Sequence, residues 1–247
     1  MKLSRIFLIA LLSISVAGCA GLRGDRDDNE ERSAEQLYEQ AKGAGRRGDY
    51  ETAIQRLEEL QSRFPFGNYA RQAQLDIIHM YFQAEDMDST IAAADRFIRL
   101  YPRDEYAAYA YYMRATANMN RGRDFLTRIF RIERSMRDPD PLRQAHADFR
   151  HLAQNYPNSE YAEDARYRMD ILRDQLAEHE LHVTDFYLRR GAYVAAANRA
   201  KGVVENFQDT PAVRDALVML AEAYQQLELE ELRREVLEVL EREHGGG

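Results

Sequence analysis

Apolar residues recur along most of this chain at intervals of three and four rather than two. Ala53, Leu57, Leu60 and Phe64 make one series, Ala94, Phe97 and Tyr101 a second, and Ala145, Phe149, Leu152 and Tyr156 a third. Such spacing gathers side chains on one face of an α-helix, and each helix then needs a neighbour to cover its stripe. Each series stops at an aromatic residue followed by proline, and Tyr-Ala returns after three more residues: Phe64-Pro65 with Tyr69-Ala70, Tyr101-Pro102 with Tyr106-Ala107, and Tyr156-Pro157 with Tyr161-Ala162. Proline lacks the N–H that would continue the helix before it. Each aromatic residue therefore marks an end, and each Tyr-Ala a new start.

One phrase repeated at fixed internal spacing predicts a repeat protein. The helix–turn–helix template of about 34 residues, with alanine near the start of its second helix and proline at its end, fits the first unit from Ala34 onward. The expected fold is all-α, a right-handed superhelix of five tetratricopeptide-like repeats at about Ser33–Gly67, Tyr69–Asp104, Tyr106–Ser159, Tyr161–Asp209 and Pro211–His244. Ser33-Ala34-Glu35-Gln36 supplies a capping box for the first helix. Unit three is lengthened by an insert from Asn120 to Pro139, and unit four by a first helix from Glu160 to about Asp185. The fifth keeps Leu217, Leu220, Ala221 and Tyr224 but has Arg233 where small residues usually sit, which suits a terminal cap facing water.

The N-terminus has a different pattern. Lys2 and Arg5 precede an apolar run of 11 residues, Ile6 to Val16, which is too short to span a bilayer and reads as a secretory signal. Val16-Ala17-Gly18 then leads into Cys19, the only cysteine of the chain, in a sequence that resembles a bacterial lipobox. Residues 1–18 are expected to be cleaved and Cys19 to carry a covalent lipid, with no other cofactor. Ala20, rather than Asp, follows the cysteine, so the expected location is the periplasmic face of the outer membrane. Residues 19–32 hold one leucine among Gly, Arg, Asp, Asn and Glu and read as a flexible tether. The tail is Gly245-Gly246-Gly247.

Losing Lys2 and Arg5 takes the formal charge from −8 to −10, which argues against nucleic acid as the main partner. Catalytic motifs are scarce. Gly43-Ala44-Gly45-Arg46-Arg47-Gly48 matches a dinucleotide fingerprint in letters, but the residues before it form a helical stripe and not a strand. His179 and His182 share a helix face beside Glu178 without the further ligands of a metal site. There is no G-x-S-x-G, and Cys19 is committed to lipid, so the chain is not expected to be an enzyme or to bind a metal. The Arg-Gly-Asp tripeptides at Arg23 and Arg47 fall in the tether and in a repeat turn. The insert is different in kind: from Arg121 to Arg137 it holds six arginines against Asp124 and Glu133. Arg128, Arg131 and Arg134 lie at helical spacing beside Phe125, Leu126, Ile129 and Phe130, which leaves three readings: pairing with the acidic repeats, contact with an accessory partner, or contact with anionic headgroups.

Longer phrases carry a resemblance. Arg63-Phe64-Pro65-Phe66-Gly67, Gln74-Leu75-Asp76, Asp95-Arg96-Phe97-Ile98-Arg99-Leu100, Arg137-Asp138-Pro139, Asn155-Tyr156-Pro157-Asn158-Ser159 and Arg190-Gly191-Ala192-Tyr193-Val194-Ala195 occur in the order found in the BamD family, and they span about Tyr38 to Tyr224. The chain resembles these lipoproteins of the β-barrel assembly machinery. The resemblance implies a scaffold that binds unfolded outer-membrane proteins through its N-terminal half, residues 33–104, and the periplasmic domains of BamA through its C-terminal half, residues 160–244. Repeat three, residues 105–159, lies between. Contacts with accessory Bam lipoproteins are implied as well.

Within that frame the groove expected for clients is lined by Tyr38 and Lys42 of repeat one and by Leu75, His79 and Phe82 of repeat two, an apolar and aromatic surface with one cation. Leu75 and Phe82 fit equally well against an adjacent helix. The BamA contact implied by the resemblance falls on Tyr193, Asn198 and Arg199. Arg199 lies off the packing stripe of Ala196, Ala200 and Val203, free to hold a partner's carboxylate or to pair locally with Glu205 or Asp209. An envelope- or peptidoglycan-associated repeat adaptor without barrel clients is the alternative function.

Overall fold

The computed structural model describes residues 32–121 and 138–244, and these contain ten α-helices and no strand. They run α1 Ala34–Arg46, α2 Tyr50–Arg63, α3 Asn68–Gln83, α4 Met87–Leu100, α5 Ala107–Asn120, α6 Asp140–Asn155, α7 Ala162–Arg189, α8 Tyr193–Asn206, α9 Ala212–Gln226 and α10 Glu230–His244. Each helix packs on its neighbour in sequence, and the first helices of adjacent pairs also touch, α1 on α3, α3 on α5 and α7 on α9. The result is the all-α array of tetratricopeptide-like pairs expected from the stripes. Residues 1–31, 122–137 and 245–247 lie outside the described residues, and with them the signal segment, Cys19, nearly all of the tether, Arg128, Arg131, Arg134 and the glycine tail.

Turns between repeats follow from the repeated phrase. Phe64, Tyr101 and Tyr156 end α2, α4 and α6 at φ −129°, −131° and −128°, outside the helical region that the ring of the following proline disfavours for the residue before it. Ala70, Ala107 and Ala162 are buried, where a larger side chain would hold the new helix away from the previous pair. Phe207 ends α8 at φ −127° without a proline after it, while Pro211 has moved to the N-cap of α9. It is a fourth copy of the same turn, with its punctuation displaced.

Turns inside repeats use a left-handed residue instead. Gly48 (φ 79°) and Gly191 (φ 72°) adopt it without a Cβ penalty, whereas Glu85 (φ 59°) and Glu228 (φ 58°) adopt it against one. Asp49 and Asp86 then cap α2 and α4, accepting the Thr52 and Ser89 N–H groups at 3.1 and 3.0 Å. Ser33 and Gln36 form the reciprocal capping box on α1. The glycine fingerprint dissolves into this geometry: Gly43 and Gly45 lie inside α1, where a Cβ on Gly45 would stand 2.9 Å from the Met80 side chain of α3, and Gly48 makes the turn.

The core is a chain of local clusters, as the nearest-neighbour packing of a repeat array requires. Leu37, Ala41, Leu57, Leu60, Ala73 and Ile77 seal repeat one to repeat two, and Leu75, Ile78, Ala94, Phe97, Ala110 and Met113 seal two to three. Ala115 packs on Ala145, Phe149 and Leu152 between α5 and α6, and a polar group spanning α4, α5 and α6 adds to this apolar packing. Arg114 donates to Asp95, and its Nε and Nη2 grip the two oxygens of Asp148 at 2.9 and 2.6 Å, with Asp148 only 3% exposed.

Helix α7 runs for 28 residues, about twice the length of the others, and overshoots its expected end at Asp185 by four. The extra turn carries Tyr187 and Leu188, which pack into the cluster of Ala196, Ala200 and Leu220. Arg173, midway along α7, reaches Asp209 beyond the end of α8 at 3.4 Å, so α8 packs on the C-terminal half of α7. None of the described side chains of α10 is buried, as befits the last helix of an array.

Candidate functional site

Two exposed surfaces gather the candidate residues. The first is the face shared by α1 and α3. Tyr38 on α1 lies with its ring 5.5 Å from that of Tyr69 at the start of α3, and Lys42 one turn on places its Nζ 5.4 Å from the centre of the Tyr38 ring. Burial, then a hydrogen bond to the Asp76 carboxylate of α3, holds the Tyr38 phenol well above its ordinary range. Asp76 also accepts Gln72 Nε2 at 3.0 Å. His79, one turn beyond Asp76, is exposed.

Leu75 and Phe82 do not belong to this surface. Leu75 is buried in the cluster that seals α3 to α4 and α5, and Phe82 is half-buried against the same cluster. The expected groove stripe is therefore corrected to Tyr38, Lys42 and His79. The shift arises because α3 is covered on two sides, by the pair before it and the pair after, so its buried arc is wider than one stripe. Asp76 is the residue that the sequence reading passes over. Its signal is present in Gln74-Leu75-Asp76, where an acid stands one residue after a buried leucine and one turn before His79.

The same motif recurs further along. Tyr112 on α5 donates to Asp164 on α7 at 2.7 Å, and Arg168 binds the same carboxylate while its guanidinium lies 5.6 Å from the centre of the Tyr112 ring. Burial pushes Asp164 up, but the bonds from Arg168 and Tyr112 outweigh it and hold the carboxyl below its ordinary value of 3.8. Tyrosine-to-carboxylate bonds thus join successive first helices at two junctions of the array.

The second surface lies on α7 and α8. Arg199 donates through Nη1 to Glu180 on α7 at 2.9 Å, and Arg143 on α6 donates to the other oxygen of Glu180 at 3.1 Å. Glu180 is 14% exposed, and each arginine keeps about half its side chain in solvent, 48% for both. Of the two readings of Arg199, the local pair with Glu205 or Asp209 is replaced by a pair with Glu180. Glu205 pairs with Lys201 and Asp209 with Arg173, because Arg199 points across to α7 rather than along α8. Asn198 is exposed and Tyr193 half-buried.

Nearby, at the tip of the α7–α8 turn, Val194 and Phe186 are exposed, and the Arg190 guanidinium covers the Phe186 ring at 4.3 Å. Sequence reasoning misses this apolar tip, although Phe186 and Val194 flank the Arg190-Gly191-Ala192-Tyr193 phrase. Among the described residues no cluster of three metal-ligating side chains occurs, and no helix is long and apolar enough to cross a membrane.

Helix pairs stacked in sequence, with polar and aromatic side chains exposed on their first helices, define a helical repeat protein of the tetratricopeptide type. Residues 30–240 match the family YfiO, described as an outer membrane lipoprotein. The chain is 46% identical over 194 residues to the outer membrane protein assembly factor BamD of Vibrio cholerae serotype O1, covering 78% of this chain and 80% of that one. It is 35% identical over 244 residues to the BamD of Pasteurella multocida, covering 99% and 92%, and 37% identical over 243 residues to that of Neisseria gonorrhoeae, covering 97% and 91%. The chain belongs to the BamD family of outer membrane protein assembly factors.

Proposed function

We propose that the protein is a lipid-anchored scaffold on the periplasmic face of the outer membrane, which holds the periplasmic domains of BamA and unfolded outer-membrane proteins during their folding and insertion. It acts without catalysis or cofactor, its only prosthetic chemistry being the lipid on Cys19. Burial of acyl chains at ~0.8 kcal/mol per methylene suffices for such an anchor. Accessory Bam lipoproteins are further partners, with Arg128, Arg131 and Arg134 of the insert as contacts.

The observation that carries the reading is the α7–α8 surface. Arg199 is anchored on its inner side by Glu180 and keeps half its side chain in solvent, with Asn198 beside it and an apolar tip at Phe186 and Val194. A pre-aimed guanidinium beside apolar side chains is the arrangement that binds a carboxylate on a folded partner with little ordering cost. Clients are assigned to the α1–α3 face, where Tyr38, Lys42 and His79 offer an aromatic wall and a cation to an extended segment ending in an aromatic residue and a carboxylate.

Co-purification from detergent-solubilised outer membranes tests the proposal. A barrel protein with periplasmic repeats as main partner is expected. Recovery of peptidoglycan-linked proteins without BamA overturns the reading in favour of an envelope adaptor.

A further inference from the structure

Antiparallel pairing brings the start of α1, the Phe64–Gly67 turn and the Tyr101–Tyr106 turn to one edge of the first two repeats. Contacts fix that register. Arg32 lies 3.9 Å from Glu59 near the end of α2, and Arg71 at the start of α3 binds Asp104 at 3.0 Å while standing 5.7 Å from the centre of the Tyr106 ring. This edge carries Phe66, at 90% the most exposed large apolar side chain among the described residues, and Leu100 at 57%. Tyr69 and Tyr106 are exposed between them. Arg99 and Arg103 are exposed on the same edge and enter no ion pair among the described residues; Asp104, bound by Arg71, and Glu105 are carboxylates of the same turn. The opposite edge, at Arg47–Asp49 and Glu85–Asp86, exposes no large apolar side chain.

We propose that this edge docks on an anionic phospholipid surface, with Phe66 and Leu100 entering the headgroup–acyl boundary, Tyr69 and Tyr106 at headgroup level, and Arg99 and Arg103 on lipid phosphates. This rests on the lipid-anchor reading. Arg32 lies at this edge, and a tether from Cys19 reaches on the order of 20 Å, so an acylated Cys19 favours the approach of this edge to the bilayer over that of the opposite one. The side chains suit that occupant: aromatic rings settle at membrane interfaces, and arginines near an anionic leaflet gain from its surface potential. A peptide partner suits it less well. Phe66 stands at the tip of a turn with no wall beside it, and a protruding ring is accommodated by a fluid surface rather than by an extended strand.

The chain has no tryptophan, so Phe66→Trp installs a single reporter. The full-length acylated variant is reconstituted with phosphatidylethanolamine–phosphatidylglycerol vesicles containing lipids brominated in the acyl chains, and flotation is measured on the same samples. The introduced indole is expected to shift its emission to the blue and to lose about half its intensity, while a Val194→Trp control keeps its intensity. Adding Arg99→Glu and Arg103→Glu, or replacing phosphatidylglycerol by phosphatidylcholine, is expected to reverse much of the quenching. Protein that floats while the indole of the Phe66→Trp variant stays unquenched overturns edge docking and leaves the anchor standing. Protein that does not float overturns both. An emission shift in that variant produced only by adding a peptide with an aromatic C-terminus assigns the edge to a client and overturns the proposal as well.

Discussion

Glu180 is shared: Arg199 reaches one of its oxygens from α8 at 2.9 Å, and Arg143 reaches the other from α6 at 3.1 Å. Removing Arg199 therefore leaves the carboxylate with a partner. Arg199→Ala is expected to change stability by no more than ~1 kcal/mol, the usual worth of a half-exposed pair. Arg199→Glu places like charges across the α7–α8 contact and costs more, yet its main effect is on partner capture. Affinity for the membrane-proximal periplasmic domain of BamA is expected to fall by at least ~2 kcal/mol, because like charges then face each other in a partly desolvated contact. Titration calorimetry and a thermal melt on the same preparation decide the matter, and unchanged binding with unchanged melting places Arg199 outside the interface.

Arg114 and Asp148 behave in the opposite way. Asp148 is buried, and Arg114 with Gln144 supplies its hydrogen bonds, the latter at 3.1 Å. Arg114→Met strands a buried carboxylate and is expected to cost ~3–5 kcal/mol, whereas replacing Arg114, Asp95 and Asp148 together by apolar residues costs far less. Urea denaturation of the single and triple variants measures the difference. Equal losses would show that the cost comes from lost packing around Arg114 and not from the stranded charge of Asp148.

Much of the architecture is legible in the stripes and in the phrase that ends at proline, because both are local: a period of 3.6 and a forbidden helical φ need no knowledge of the rest of the chain. What escapes is set by packing partners. Leu75 and Phe82 lie off the stripe that faces α1 and α2, and only the presence of a pair on each side of α3 buries the first and half-buries the second. Arg199 lies off the core of α8, as its spacing predicts, but its partner stands 19 residues upstream on a helix whose length the sequence understates. Asp76 and Asp164 each pair with a tyrosine on the preceding first helix, a relation that spacing alone does not encode.

Glu85 and Glu228 occupy the left-handed position that glycine fills at Gly48 and Gly191. Both glutamates are exposed. A non-glycine residue there pays ~1 kcal/mol or slightly more, and glycine recovers part of it after the added entropy of the unfolded chain is subtracted. Glu85→Gly and Glu228→Gly are each expected to raise stability by ~0.5 kcal/mol and to be additive, since they lie in different repeats. A fall in melting temperature for either would mean that the carboxylate contributes more than the backbone strain it carries.

The client face is tested at His79, which is exposed one turn beyond Asp76. A photo-crosslinking residue at His79 is expected to capture peptides from the C-termini of outer-membrane proteins, and one at Lys42 to do the same. Leu75 is unsuitable for such a probe because it is buried. Crosslinks from Ala92, exposed on the second helix of the pair, but none from His79 or Lys42 would move the client to a different face.

Acid sensitivity provides a last test, because the sign of the Asp164 shift is fixed by its partners. Burial alone would raise its pKa, but Arg168 and the Tyr112 hydroxyl, 2.7 Å away, bring it below 3.8. A carboxyl depressed in the folded state contributes stability fully above its unfolded value, and that contribution is lost as pH falls through the lower folded value. Wild type is therefore expected to exceed Asp164→Asn in stability from neutral pH down to about 4, with the gap closing below that. Since Asp164 is 42% exposed in its side chain, the gap at neutral pH is expected to stay near ~1 kcal/mol or less. Tyr112→Phe removes one of the two donors and should narrow the gap without abolishing it. Chemical denaturation at pH 7, 4 and 2.5 reads all three proteins. A gap that stays constant across that range would show that Asp164 acts through packing at the α5–α7 junction and that its charge is immaterial there.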